Sequence, residues 1–381
     1  MFKFNKKTKL QLILTTIVIS AIIIIPSAPK SYEHAFVEKS YPFASQSLSA
    51  PPSEVDVYFS DPVDIRYSEI KVLDSDGNQI QENDQHYINN DQTALSVSLP
   101  LNIENGIYTV STKVLDQTDG HVTEDAFAFG VGQDVPKSIA NSLTLNSYQN
   151  VSIPETLARF PSLLGQVIVT GIAASTLWLW NPISRIPRLS ESLLQIRVKI
   201  DTSMTKMVVI GSIITLAAGF AMIIVQAWSI NASILDAIST KFGNIWILRM
   251  LASSVLFVLS FTIYQKIRKT PTIIAKKYSL LLLGTSLLVL STTSLISHGS
   301  ATGQIVPLLL DFCHNVFASL WIGGIIYLAF VVMPQIKQIT NFNLSLSTLF
   351  ILIPRFSTLA ITVLGAVLIT GPFLLYTLEN N

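Results

Sequence analysis

Six apolar runs, at about 162–180, 207–228, 245–264, 278–296, 311–333 and 358–376, dominate the second half of this chain. Each approaches the ~20 residues an α-helix needs to cross a bilayer. In lipid the backbone must satisfy its own hydrogen bonds, so runs of this length fold as helices. The expectation is an all-α polytopic membrane domain of about six helices over 161–381. Of the 381 residues 50% are hydrophobic and 13% charged, which leaves room for a soluble domain as well. Charge is near balance, so no basic face points to nucleic acid, and the lipid bilayer is the expected partner. The single cysteine, Cys313, excludes an internal disulfide and any CxxC redox or zinc site.

The basic residues set the orientation. Arg185, Arg188, Arg197, Lys199 and Lys206 fill the first connection, Lys266, Arg268, Lys269, Lys276 and Lys277 the third, and Lys337 and Arg355 the fifth. Such connections stay in the cytoplasm, which predicts a multi-pass protein of the cell membrane with its N-terminal domain outside. The N-terminus agrees. Lys3, Lys6, Lys7 and Lys9 precede an apolar run at 12–25 and then Pro26-Ser27-Ala28, so residues 1–33 read as a signal peptide or an uncleaved anchor.

Residues 34–133 alternate with period two: Val55, Val57, Phe59; Leu95, Val97, Leu99; Tyr108, Val110, Thr112; Phe127, Phe129, Val131. Turn signals such as Pro51-Pro52 and Asn105-Gly106 separate these runs, which predicts a small antiparallel β-sandwich. Two histidines sit at its ends: His34 before the first strand, and His121 in Asp119-Gly120-His121. If export leaves His34 as the first residue, its amine and imidazole supply two nitrogens, His121 a third, and Asp119 an oxygen. That set suits the tetragonal preference of Cu(II) better than the tetrahedral preference of zinc. The same triplet also serves as an ordinary turn with a solvated histidine, and the residues alone leave both readings open. His86, in a polar stretch, reads as a surface loop residue.

This segment resembles the CopC copper-binding domain, through HAFVEKSYP at 34–42, EVDVYFSDPV at 54–63, IKVLDSDGN at 70–78 and GIYTVSTKVLDQTDGHVTEDAFAFGVG at 106–132. The resemblance implies an immunoglobulin- or cupredoxin-like sandwich with His34, Asp119 and His121 as Cu(II) ligands. The segment has no methionine, so the Met-rich Cu(I) site of some relatives has no soft ligands here.

Residues 134–160 are polar, contain Pro136 and Pro154, and read as a tether, with a short surface-lying helix at 155–159. Farther on, His298 and His314 flank a polar break at the outer end of two spans, with Asp311 one turn before His314 on the same helix face. Ionisable groups at such a depth usually mark an ion or substrate route. Met222 and Met333 offer soft donors for Cu(I), but a methionine in an apolar span more often packs, and Gly323-Gly324 reads as a point of close helix approach. The membrane half resembles the CopD family, through SHGSA at 297–301, DFCHNVFASLWIGG at 311–324, and PRFSTLA at 354–360 followed by Thr370-Gly371.

The second resemblance implies copper passage, with His298 and His314 as metal contacts and Asp311 beside them. The leading expectation is therefore a copper carrier that captures Cu(II) outside and passes copper to the helices. A separate copper reductase or chaperone would be its partner. Two alternatives stand beside it: a copper oxidase or monooxygenase site at His34, and a haem-binding electron-transfer protein using the membrane histidines.

Overall fold

A computed structural model describes residues 35–140, 153–183, 186, 193–301 and 304–379. The first part is two facing four-stranded sheets. One has the order β1 (Val37–Tyr41), β3 (Glu54–Phe59), β6 (Ala94–Ser98), β5 (His86–Tyr87). The other runs β2 (Ser47–Leu48), β8 (Val122–Val131), β7 (Gly106–Leu115), β4 (Glu69–Leu73). All pairs are antiparallel except the short β2–β8 pair. His86 lies in the two-residue strand β5 and is exposed, its Nδ1 bonded to the Asp84 carbonyl.

The period-two pattern fills the space between the sheets. Val55, Val57 and Phe59 of β3 meet Tyr108, Val110, Phe129 and Val131 of the opposite sheet, all buried. Tyr108 and Phe129 stack, with ring centroids 5.5 Å apart. Strands β7 and β8 form a long hairpin in register from Gly106↔Val131 to Leu115↔Val122. Its tip therefore carries residues 116–121, including Asp119 and His121.

The second part is helical: α1 (Ile153–Ile183), α2 (Leu194–Ser229), α3 (Ile234–Ser239), α4 (Lys241–Lys269), α5 (Lys276–Ser294), α6 (His298–Ala301), α7 (Ile305–Ile336) and α8 (Phe342–Glu379). Among the described residues five of these, α1, α2, α4, α7 and α8, are long and apolar enough to cross a membrane. The fourth of the six expected runs also folds as a helix, α5, at 19 residues. Lys276 and Lys277 at one end, and Ser291, Thr292, Thr293 and Ser294 at the other, leave its apolar centre shorter than in the other five.

Helix α1 is the hub, most of it buried, and α8 is the outermost of the five, with very little of it covered. Glycines permit the central crossing: a Cβ at Gly171 of α1 would lie 2.5 Å from the Gly323 Cα of α7. The backbones touch there because neither side chain intervenes. Helix α1 begins at Ile153, inside the stretch expected to be a tether, so the 155–159 segment forms its first turns.

Sandwich and helices form one compact unit. Leu115, Val122 and Tyr67 at the hairpin end pack into an apolar cluster with Ala158 of α1, Met222, Ile223 and Ala227 of α2, and Phe242 of α4. The hairpin tip is thereby seated on the helices.

Candidate metal centre

The tip loop folds around its own acidic residues. Asp116 accepts hydrogen bonds from the Thr118 backbone N–H and hydroxyl, and its own N–H donates to the His121 carbonyl (2.8 Å). Asp119 Oδ1 accepts from the His121 N–H at 2.9 Å. These short-range bonds are the usual turn chemistry of Asp, and they close the loop without β pairing. Gly120 holds φ at +77°, in the left-handed region that glycine tolerates. A Cβ there would meet the Phe242 side chain at 2.7 Å, so the loop also needs glycine to approach α4. The Gly120 carbonyl accepts from Gln226 Nε2 of α2 at 2.7 Å.

His121 is held at both ring nitrogens. Its Nδ1 lies 2.6 Å from Asp119 Oδ2, and its Nε2 lies 2.9 Å from Glu155 Oε1 in the first turn of α1. Arg159, one turn further, reaches the same Glu155 oxygen at 2.6 Å. Asp119 is almost fully buried and the His121 side chain is 16% exposed. Burial disfavours the imidazolium most, but the hydrogen bonds to Asp119 and Glu155 and the Asp119 charge outweigh it. The His121 pKa is raised to about 9. Asp116 moves up to about 6 because it is buried and because the Asp119 charge is close.

The start of the domain meets the same loop. The Ala35 N–H donates to Asp116 Oδ2 at 3.2 Å, and the Ala35 carbonyl accepts from Thr123 Oγ1 at 2.7 Å. His34, the residue before it, lies outside the described residues. Among the described residues no three His, Cys, Asp or Glu side chains form a group that could hold a metal. Asp119 and Glu155 flank opposite edges of the imidazole rather than converging on one point. The fit to a metal is therefore partial: a buried carboxylate and an imidazole stand together, the donor types copper accepts.

In the helices, His298 opens α6, and its side chain lies outside the described set. Asp311 Oδ2 accepts from Asn315 Nδ2 at 3.1 Å, and Asn315 also reaches Ser294 Oγ of α5 at 3.3 Å. His314 turns the other way, with Nδ1 2.9 Å from Thr370 Oγ1 of α8. The Thr370 hydroxyl donates to the Ala366 carbonyl at 2.8 Å. Cys313 is exposed. Met222 Sδ is 3.6 Å from Nη1 of buried Arg249, whose other nitrogens bond Thr292 and Thr293. A guanidinium against the sulfur disfavours a cation there, in line with a packing role for Met222.

The sequence reading did not single out Glu155 or Arg159 as site residues. Their signal is a Glu/Arg pair at i,i+4 just before an apolar run, and only the docked hairpin gives it a partner.

A β-sandwich with a carboxylate–imidazole pair at one hairpin tip, seated on a helical domain whose long apolar helices can cross a bilayer, defines a two-part membrane protein. The CopC domain family matches residues 37–132, and the family described as copper resistance protein D-like, N-terminal domain, matches residues 152–306. The chain thus joins a CopC domain to a CopD-like N-terminal domain, the arrangement of a CopC/CopD fusion. The second match contains His298 and ends before Asp311 and His314.

Copper transport protein CutJ of Bacillus subtilis (strain 168) is 23% identical over 359 residues, covering 90% of this chain and 60% of that protein. The chain thus spans less than two thirds of that relative's length. Protein YobA of Escherichia coli (strain K12) is 29% identical over 103 residues, 27% of this chain and 82% of YobA. The crystal structure of CopC from Methylosinus trichosporium OB3b is 31% identical, covers 26% of this chain and 93% of that chain, and superposes with a TM-score of 0.24.

Proposed function

We propose that this protein captures Cu(II) on the outer side of the cell membrane at the tip of the β7–β8 hairpin and passes copper to its helical half for transport. It would thereby serve copper homeostasis or resistance as a carrier rather than an enzyme. The ligands are Asp119, His121 and, as the first residue of the exported chain, His34. His298 and His314, with Asp311 beside them, are the metal contacts in the membrane, and a separate reductase or chaperone would complete the route.

The observation that carries this reading is the convergence of the domain's start with the hairpin tip. Ala35 donates to Asp116 of the loop that also holds Asp119 against His121. Ala35 is thereby tied to the loop that carries that pair. An amine and imidazole from residue 34 added to His121 and Asp119 give three nitrogens and an oxygen, a set suited to tetragonal Cu(II). The CopC match and the copper transport relative support the same cargo. Basic connections on the far side of the helices support an outward-facing sandwich.

The test is the mature N-terminus of membrane-expressed protein, read by intact mass, together with Cu(II) titration against a competing chelator. A chain that begins at His34 and loses tight binding in His34→Ala supports the proposal. A longer chain, or tight binding that survives His34→Ala, contradicts the amine-ligand site.

A further inference from the structure

We infer that Glu155, at the start of the first spanning helix, is a positioning residue for the copper site of the sandwich, so that the membrane half sets how tightly the hairpin tip holds its metal. This rests on the reading of Asp119 and His121 as Cu(II) ligands.

The imidazole of His121 has two edges, and different domains own them. Asp119 Oδ2 stands at the Nδ1 edge at 2.6 Å, from the same loop. Glu155 Oε1 stands at the Nε2 edge at 2.9 Å, from α1. A metal bound by both Asp119 and His121 must lie on the Nδ1 side, where the two donors adjoin. It replaces the proton on Nδ1 and leaves the Nε2–H donated to Glu155. A carboxylate on the far N–H of a metal-bound histidine fixes the ring's orientation and raises its basicity, and its loss typically costs 10–100-fold in metal affinity.

Glu155 is itself held. Arg159 reaches its Oε1 at 2.6 Å, and the first turn of a helix is a favourable place for a negative charge. The neighbouring contacts come from other helices: Gln226 of α2 bonds the Gly120 carbonyl, and Phe242 of α4 closes on Gly120. Glu155 and Asp119 thus reach His121 from different parts of the fold, so displacing α1 from the hairpin would remove Glu155 and leave Asp119, with weaker copper binding at the tip.

The experiment is a Cu(II) competition titration of the full-length protein in detergent, with electron paramagnetic resonance of each copper complex. The variants are His121→Ala, Glu155→Ala, Glu155→Gln and Gln226→Ala. The expected result is loss of tight binding in His121→Ala and a 10–100-fold weaker complex in Glu155→Ala with unchanged nitrogen couplings. Glu155→Gln, whose carbonyl still accepts the Nε2–H, should fall between Glu155→Ala and the unaltered protein. Gln226→Ala, which loosens the seat of the loop on α2 without touching the imidazole, should weaken copper binding less than Glu155→Ala does.

Equal or tighter binding in Glu155→Ala, with His121→Ala still deficient, overturns the inference alone. Tighter binding would mean that Glu155 competes with copper for Nε2. A loss in Gln226→Ala equal to that in Glu155→Ala also overturns it, because docking alone would then explain the effect. Binding unchanged in His121→Ala removes the copper-site reading and the inference with it.

Discussion

Replacing Gly120 by alanine tests the seating of the hairpin tip on the helices. Two costs can be read from the structure. Gly120 sits at φ +77°, where an L-residue costs roughly 1–2 kcal/mol. The new Cβ would lie 2.7 Å from Phe242 Cβ and 3.1 Å from its ring carbons, an overpacked contact of about 1–3 kcal/mol. The sum is about 2–5 kcal/mol, directed at the loop that carries Asp119 and His121. Hydrogen exchange of the 116–122 backbone in Gly120→Ala should show loss of protection of this order, while the sandwich core strands stay protected. In a Phe242→Ala background the steric part disappears and only the backbone part remains, so the two substitutions must couple. Equal protection in Gly120→Ala and the unaltered protein, or additive effects in the double variant, would refute the docked geometry.

Other outcomes follow from the same contacts. His121 has a folded pKa of about 9 against 6.5 in the unfolded chain, so its protonation stabilises the metal-free fold fully below pH ~6.5, and that contribution is lost as pH rises through about 9. Thermal melts of metal-free protein across that window should fall with pH, and His121→Ala should flatten the fall. Gly323→Val places a branched side chain against the Gly171 backbone and should prevent α1 and α7 from closing, read as loss of the monodisperse folded species on size-exclusion chromatography. Thr370→Val removes the hydroxyl that holds the His314 ring, so a metal contact at His314 should weaken, measured by copper titration of the purified full-length variant against the unaltered protein.

The sandwich was legible because period-two runs leave few choices: Val55, Val57 and Phe59 face inward as their spacing requires. The Gly323 crossing was legible too, since a paired glycine in an apolar run has little use except close approach. The spans were readable in position but not in rank. The stretch at 278–296 forms a helix, yet its lysines and hydroxyls set it apart from the five more apolar ones.

The closeness of Asp119 and His121 was legible from their spacing. The connection to Glu155 was not, because contact between residues 121 and 155 depends on how a hairpin tip meets a helix end. Sequence spacing also put Asp311 and His314 on one face, but Asp311 bonds Asn315 of its own helix, which reaches Ser294 of α5, whereas His314 bonds Thr370 of α8. Local periodicity gives a residue's direction on its own helix and says nothing of which helix will stand opposite.

The most direct test of copper capture at the hairpin tip is the electron paramagnetic resonance spectrum of Cu(II) bound to the full-length mature protein, with nitrogen couplings counted. Three nitrogen couplings that drop to two in His121→Ala, with loss of tight binding, are the predicted result. Couplings and affinity that are the same in His121→Ala would contradict copper capture at this loop.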